Sequence, residues 1–297
     1  MMQNTSLITG NNHDTELINM WIHGRSEHTQ RAYRHDVFSL LTFTQKSIQE
    51  TTLGDLQAFA DSLTGKDATK ARTINVIKSL LTFAHGLGYT PVNVGKALKA
   101  PRLREELAQR ILEESDAIRL IENEKDARNH ALLRLIYHCG LRVSEVVSLK
   151  WKDTTPRAEG GQVTIFGKGG KTRQVLISAS MWKELMSLEG RFLGQDRYIF
   201  QSRKSKAGTQ PFDTSMVDRI VEQAAIRVDV AIYHDEQGKK HSHVSPHWLR
   251  HAHASHSLDR GASINLVRDT LGHASIATTG KYSHARPNES SSKFLPL

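Results

Sequence analysis

Six polar side chains in the C-terminal half of the sequence could together bind and attack a phosphate. In chain order they are Arg142, Lys168, His247, Arg250, His273 and Tyr282. Arginine suits a phosphate because its planar guanidinium donates to two oxygens at once and stays protonated. A tyrosine hydroxyl can attack the phosphorus and conserve the bond energy in a covalent intermediate. Residues of these types predict cleavage of a phosphodiester without a metal.

The spacing of the arginines favours a shared anion site. Arg142 follows a glycine turn between two predicted helices, and Glu145, three residues later, is predicted to orient an active-site cation. His247 and Arg250 are three residues apart and lie on one helix face. Pro246 begins that helix, so His247 lies in the first turn, where free backbone N–H groups favour an anion. Taken singly, Arg142 could form a salt bridge and His247 could be a cap; the combination favours a phosphate clamp.

The lysine and the last two residues complete the chemistry. A predicted hairpin over residues 162–178 carries Lys168 on its turn, where a flexible ammonium could protonate the leaving oxygen. Lys171 on the same turn is a competing candidate, and most turn lysines are only solvated. His273 could donate to the same phosphate or cap a helix from a buried position. Tyr282 is the candidate nucleophile.

A metal site is the rival interpretation of the histidines. Six of them crowd one segment: His241, His243, His247, His251, His253 and His256. His247 and His251 have the i, i+4 spacing of metal ligands, but no HExxH pattern accompanies them and Cys139 is the only cysteine. We therefore expect neither a metal nor another cofactor.

Composition and charge narrow the class of protein. The net charge of +9 and the pI near 9.6 favour a polyanionic partner. One cysteine excludes an intramolecular disulfide. No apolar run is long enough to cross a bilayer, and the N-terminus does not resemble a secretory signal. The expectation is a cytoplasmic protein, associated with the nucleoid in a bacterium, with no membrane partner.

Hydrophobic periodicity divides the chain into two domains. Residues 1–14 are polar and expected to be disordered. The pattern predicts a helical bundle without strands over residues 15–101 and a linker over residues 102–108. A second domain of helices and a small hairpin is predicted over residues 109–297, with a polar loop at 229–243. Basic side chains on the first domain are either solvated or contact DNA phosphates: Arg31, Arg34, Lys66, Lys70, Arg72 and Lys78.

Five short segments, in order, carry a family resemblance. They read Gly140-Leu141-Arg142, Gly167-Lys168-Gly169, Pro246-His247-Trp248-Leu249-Arg250, Leu271-Gly272-His273 and Gly280-Lys281-Tyr282. Together they resemble the tyrosine recombinases, or phage integrase family, most closely the Xer type. The resemblance implies a mostly α two-domain DNA clamp, with a helical SAM-like core-binding domain and a mixed α/β catalytic domain. It also favours Lys168 over Lys171 as the acid.

The resemblance implies a reaction and partners. Tyr282 would form a 3′-phosphotyrosine and release a 5′-hydroxyl, and four protomers would exchange strands of two paired DNA sites through a Holliday junction, for integration, excision or dimer resolution. The expected partners are duplex DNA and further copies in a homotetramer, with or without a second recombinase. Because related enzymes dock their C-terminal segment in a neighbour, Phe294 and Leu295 are expected to do the same. The alternatives are a type IB topoisomerase-like enzyme and a catalytically silent DNA-binding protein.

Overall fold

The structure, a computed structural model, describes residues 12–102, 107–167, 170–188, 196–202 and 210–285. Its contacts divide the chain into two compact units, Met1–Arg104 and Glu105–Leu297, called here the N-terminal and C-terminal units. Both are mostly helical, and the described strands all lie in the C-terminal unit. The predicted fold class, mostly α with a small sheet, is confirmed. No helix in the described ranges has the length and apolar character needed to cross a membrane.

The described part of the N-terminal unit is a bundle of four α-helices. They are α1 (Asn12–Ile22), α2 (Glu27–Thr44), α3 (Leu53–Ser62) and α4 (Asp67–Gly86). The Ser26 hydroxyl accepts from the backbone N–H of Thr29 at the start of α2, and Thr52 and Asp55 form a capping box at α3. These contacts satisfy N–H groups that the first helical turn leaves without partners. The core between the helices is mostly aliphatic, with Leu17, Ile18, Val37, Leu40, Leu56, Ile77, Leu80 and Leu81 buried together with Trp21 and Phe59.

The C-terminal unit surrounds a larger core with helices and a small sheet. Its elements are α5 (Glu114–Glu122), α6 (Ala127–Cys139), α7 (Val143–Ser148), β1 (Thr154–Arg157), β2 (Gly160–Phe166), β3 (Thr172–Ser178), α8 (Ala179–Ser187), α9 (Thr214–Arg227), β4 (Ile232–His234), β5 (Lys240–Ser242), α10 (Pro246–Asp259), α11 (Ile264–Leu271) and α12 (Ile276–Ala285). The central helix α6 is buried along most of its length, and α10 packs against it.

The predicted hairpin is present as β2 and β3, and β1 adds a third antiparallel strand in the order β1-β2-β3. Val163 pairs with Val175 and Ile165 with Arg173. Side chains alternate between the two faces of a strand, so Val175 and Ile177 are buried while Leu176 is exposed. The alternation therefore directs Arg173 to the same face as the core residues of β3.

One segment that the sequence predicts as a loop contains regular structure. The polar composition of residues 229–243 predicts an exposed loop, whereas the structure places the antiparallel pair β4 and β5 there. The ring of Tyr233 stacks on that of its cross-strand partner His241 and on that of His243, with centroids 5.4 and 4.3 Å apart. This cross-strand stacking, together with the Ser242 hydroxyl, which donates to the Val230 carbonyl, stabilises the strand pair despite its polar composition.

The turn from α6 to α7 depends on Gly140. This residue ends α6 in the left-handed conformation, with φ of +58°, which side chains disfavour. A Cβ there would lie 2.6 Å from Cδ2 of Leu271 and 2.7 Å from Cδ2 of His253. Gly140 therefore permits both the turn and the close approach of α10 and α11 to the end of α6.

Candidate active site

Arg142 and Glu145 form one contact unit at the start of α7. Arg142 is the residue before the helix, and its backbone N–H donates to Glu145 Oε2 at 2.8 Å. Its guanidinium also donates to Glu145 Oε1 at 2.8 Å. About a third of the Arg142 side chain is exposed, whereas the Glu145 side chain is buried. The carboxylate therefore fixes the base of Arg142 while the guanidinium keeps access to a ligand.

Arg173 is a second cation on the same carboxylate, and the sequence motifs did not identify it. Its two terminal nitrogens bind the two oxygens of Glu145 at 2.9 and 2.8 Å, and its Nε donates to the Thr270 carbonyl at 2.6 Å. The alternation of the strand could have identified Arg173, because it places Arg173 on the same face as the core residues Val175 and Ile177. An arginine on a core face requires a buried acceptor.

The charge state of Glu145 follows from these donors. Burial raises the pKa of the Glu145 carboxyl, but hydrogen bonds from Arg173 and from the backbone of Arg142 outweigh it and lower the pKa to about 2. Glu145 is therefore ionised at neutral pH. It provides the negative charge that allows several arginines to lie close together.

Arg250 is buried and connects two helix ends. Its guanidinium donates to the carbonyl of Gly140 and, at 2.7 Å, to the carbonyl of Leu271. One nitrogen also lies 3.9 Å from Glu145 Oε2. These carbonyls end α6 and α11, where helix dipoles favour a cation. Burial and the nearby Arg142 lower the pKa of Arg250 to about 10, so it remains protonated at neutral pH.

His247 lies in the first turn of α10, one turn before His251. The two rings are stacked with centroids 6.2 Å apart. Desolvation by the surrounding protein, then Arg250, lowers the pKa of His247, with a further contribution from Arg142. His247 is thus a neutral imidazole at pH 7, although its edge is accessible to a ligand.

His273 follows α11 and contacts α12. Its Nδ1 lies 2.9 Å from the Thr279 hydroxyl, and its ring stacks on that of Tyr282 with centroids 6.4 Å apart. Burial, then Arg250 and Arg142, lowers the pKa of His273 to about 4. The imidazole is therefore neutral at pH 7.

Tyr282 lies in the middle of α12 and is only 6% exposed. Its ring packs in a small apolar cluster with Ala254, Val267 and Leu271. Its hydroxyl lies 2.8 Å from Nδ1 of His251. Burial raises the pKa of the phenol above its usual value, against the opposing effect of the arginines.

Several of these basic side chains line a cleft of about 570 Å³. Arg142 and His273, both predicted from the sequence, line it together with residues that include Lys171, Arg173 and Arg268. Its charge and size suit a phosphate of a polyanion. Lys168 lies outside the described residues, as do Phe294 and Leu295 of the tail.

The other histidines have separate partners. His241 pairs with Glu222 and Asp235, and His253 bonds the carbonyl of Tyr137 at 2.8 Å. His256 lies between the Tyr137 hydroxyl and a backbone carbonyl. In the part of the chain that the structure describes, no three histidine, cysteine or acidic side chains converge as a metal site would require.

The basic residues predicted to contact DNA lie on the N-terminal unit. Three of them bind groups within that unit: Arg72 pairs with the buried Asp36 at 2.7 Å, Lys78 donates to the Leu98 carbonyl, and Arg34 donates to Asn19 Oδ1 at 2.8 Å. These three side chains therefore have structural contacts that do not depend on DNA. The remaining candidates of this set are Arg31, Lys66 and Lys70.

Comparison with solved structures supports the architecture. The chain resembles a crystal structure of XerA recombinase, with 27% identity, a TM-score of 0.51 and coverage of 96% of this chain and 99% of that one. It also superposes on lambda integrase residues 75–356, solved as a dimer bound to a COC′ core site, with a TM-score of 0.72 over 94% of this chain and 96% of that one. The identity there is 16%, so this match shows the fold alone.

Sequence comparison gives the family. The tyrosine recombinase XerD of Vibrio vulnificus is 31% identical over 282 residues, covering 89% of this chain and 88% of the relative. The tyrosine recombinase XerC of Xanthomonas campestris pv. campestris is 30% identical over 271 residues, covering 87% and 79%. The profile of the N-terminal SAM-like domain of phage integrases matches residues 19–86, and that of the phage integrase family matches residues 101–289. The chain therefore belongs to the phage integrase family of tyrosine recombinases.

Proposed function

We propose that this protein is a site-specific DNA recombinase that cuts and rejoins strands through Tyr282. The phenol oxygen attacks the scissile phosphorus and forms a 3′-phosphotyrosine, and the 5′-oxygen leaves with a proton. The 5′-hydroxyl of a partner strand then reverses the step. The observation that carries this proposal is the placement of Tyr282 beside His273 and within the field of Arg250 and Arg142.

The arginines and histidines of the site have roles that their surroundings support. Arg142 and Arg250 hold charge at the non-bridging oxygens, where it stabilises the transition state. His247 and His273, whose pKa values are lowered in the protein without DNA, would each donate an N–H group to the phosphate, and the arginines supply the permanent positive charge. Lys168 is the proposed acid for the leaving oxygen, as the family resemblance implies. Lys171 remains the competitor because it lines the cleft.

The N-terminal unit is proposed as the core-binding domain, over residues 15–101, with a linker at 102–108 and the catalytic domain over 109–297. Phosphate contacts by Arg31 and Lys70 would position the duplex, with Arg34, Arg72 and Lys78 contributing where their intramolecular partners allow. The positive net charge of the chain supports such contacts. Action on DNA would place the protein in the cytoplasm, at the nucleoid of a bacterium.

The proposed assembly is a homotetramer on two paired sites, with or without a second recombinase. Solved relatives include a lambda integrase tetramer bound to a Holliday junction and XerH bound to a difH substrate. These assemblies support the same arrangement for this chain. A topoisomerase-like enzyme would relax supercoiled DNA without pairing sites, so relaxation and two-site recombination assays run side by side distinguish the two functions.

The test is Tyr282→Phe on a nicked suicide substrate, in which the cleaved strand diffuses away and traps the covalent adduct. The substrate sequence is first obtained by sequencing DNA that is trapped on the protein in cells. The wild type should form the adduct in EDTA, and the variant should bind the same duplex without forming it. An adduct of undiminished yield in Tyr282→Phe would overturn the assignment. Loss of activity in EDTA that zinc restores would favour the histidines as a metal site.

A further inference from the structure

His251 forms a hydrogen bond with the hydroxyl of the nucleophile Tyr282. Its Nδ1 lies 2.8 Å from the Tyr282 hydroxyl, a normal length for a hydrogen bond between these atoms. The rings lie 5.6 Å apart and are inclined by 42°. The sequence suggested His251 only as a metal ligand, and the proposed roles above give it no part in the reaction.

We propose that His251 is a catalytic residue that accepts the phenol proton of Tyr282 during attack. The proposal rests on the proposed function, since it concerns the same phosphoryl transfer. Nδ1 takes the proton as the bond from the phenol oxygen to phosphorus forms. The bond from phosphorus to the 5′-oxygen breaks, and that oxygen takes a proton from the acid, Lys168 or Lys171. One proton enters His251 and one leaves the lysine, so atoms and charges balance.

The position of His251 in the fold supports this role. His251 lies on α10, one residue after Arg250 and one turn after His247, so the helix that supplies phosphate ligands also supplies the proton acceptor. Tyr282 is held against it by the apolar cluster around Leu271. A proton acceptor must lie within hydrogen-bond reach of the proton it removes, and the helices α10 and α12 bring the two groups together.

The surroundings keep His251 able to accept. Burial, together with the nearby His247 and Arg250, lowers the pKa of His251 to about 4. The groups that face it are Tyr282 on α12, His247 and Arg250 on its own helix, Arg110 from the short 3₁₀ helix Ala108–Arg110 that precedes α5, and His273. The imidazole is therefore unprotonated above about pH 4. A bound phosphate would favour the imidazolium by its negative charge, so substrate binding strengthens the base when it is needed.

The proposal predicts a defect that depends on pH. His251→Asn places an amide near the Nδ1 position, where it can bond the phenol but cannot take its proton. The variant must use phenol that has already ionised, and the fraction of phenolate rises tenfold with each pH unit below the phenol pKa. A general base contributes about 10²–10⁴-fold to a rate. The single-turnover cleavage rate of His251→Asn should therefore be about 10²–10⁴-fold low at pH 6.5 and recover about tenfold per pH unit, whereas the wild-type rate stays nearly flat.

A matched control lies two residues further along the same helix. His253 is also buried, and its Nδ1 bonds the carbonyl of Tyr137 rather than the nucleophile. His253→Asn keeps a donor for that carbonyl and should leave the cleavage rate and its pH profile unchanged. His251→Gln is measured in parallel, and thermal melts and gel shifts with duplex DNA show whether each variant folds and binds.

The outcomes separate this inference from the proposed function. A wild type that forms no adduct on its trapped sequence overturns the proposed function, and this inference with it. A wild type that forms the adduct, with folded His251→Asn or His251→Gln cleaving at the wild-type rate, overturns this inference alone. A defect of equal size at every pH also overturns it, because the histidine would then only hold the tyrosine in place.

Discussion

Arg142 and Arg250 carry the same charge but differ in what else they hold. The Arg142 side chain is partly exposed and contacts only Glu145 among the described hydrogen bonds, whereas Arg250 is buried and supports the carbonyl ends of α6 and α11. Loss of activity in an arginine variant can therefore have two causes. At Arg142 the structural cause is limited to the hydrogen bond with Glu145.

Arg142→Ala should lower the single-turnover cleavage rate by about 10²–10³-fold, because charge aimed at the transition state is removed. Arg250→Ala should lower it at least as much and also destabilise the C-terminal unit by at least about 1–3 kcal/mol, since the buried carbonyls of Gly140 and Leu271 both lose a donor. Rates on the suicide substrate and denaturant unfolding measure the two effects. Arg119→Ala is the control for the loss of a carbonyl donor alone, because Arg119 also donates to a backbone carbonyl, that of Val228, at 2.8 Å. An Arg250→Ala protein of wild-type stability would contradict the structural role.

At the scale of elements, Arg173 joins β3, α7 and the end of α11. Its bonds to Glu145 and to the Thr270 carbonyl hold the strand against the segment that leads to His273. The sequence predicted the hairpin, the turn before Arg142 and the helix that carries His247 and Arg250, because glycine turns, a proline start and helical spacing are local signals. It could not identify the partner of Arg173, because the two ends of that ion pair are 28 residues apart and only the folded sheet brings them together.

Arg173→Ala should destabilise the protein by about 3–5 kcal/mol at pH 7, because a buried carboxylate loses a paired cation. The folded-state pKa of Glu145 is depressed to about 2, so its ion pairs contribute stability above the unfolded value of about 4.5, and that contribution is lost as the pH falls toward 2. The cost of the variant should therefore shrink below pH 4.5. Denaturant unfolding at pH 7 and pH 4 measures it.

Glu145→Gln provides the matched background for this prediction. With a neutral amide in place of the carboxylate, Arg173→Ala should cost less than it does in the wild type. A double-mutant cycle at pH 7 gives the coupling free energy between the two positions. A coupling energy near zero would show that Arg173 acts through the Thr270 carbonyl alone.

At the scale of the whole molecule, the net charge of +9 predicts DNA binding that weakens with salt. Removing one cation that binds a phosphate should reduce the slope of log affinity against log salt by about 0.9. Arg31→Ala and Lys70→Ala should each do so without changing stability. Arg72→Ala should also lower the melting temperature, because buried Asp36 loses its partner.

Gel-shift titrations at several salt concentrations measure the slopes. The control is Lys46→Ala, which removes a cation paired with Asp55. Unchanged slopes at positions 31 and 70 would remove them from the DNA-binding surface.

The packing around Gly140 limits how this sequence can vary. A side chain at position 140 would collide with Leu271 and His253 and would also have to adopt a left-handed backbone. His253 in turn holds the Tyr137 carbonyl, and the Leu271 carbonyl binds Arg250. Smaller residues at positions 253 and 271 would make room for a side chain but would not relieve the backbone strain at position 140. Glycine at position 140 therefore cannot be replaced through a few tolerated substitutions. At Gly54 a Cβ would meet only the Thr52 hydroxyl, at 3.7 Å. Position 54 can therefore accept other residue types, whereas position 140 requires glycine.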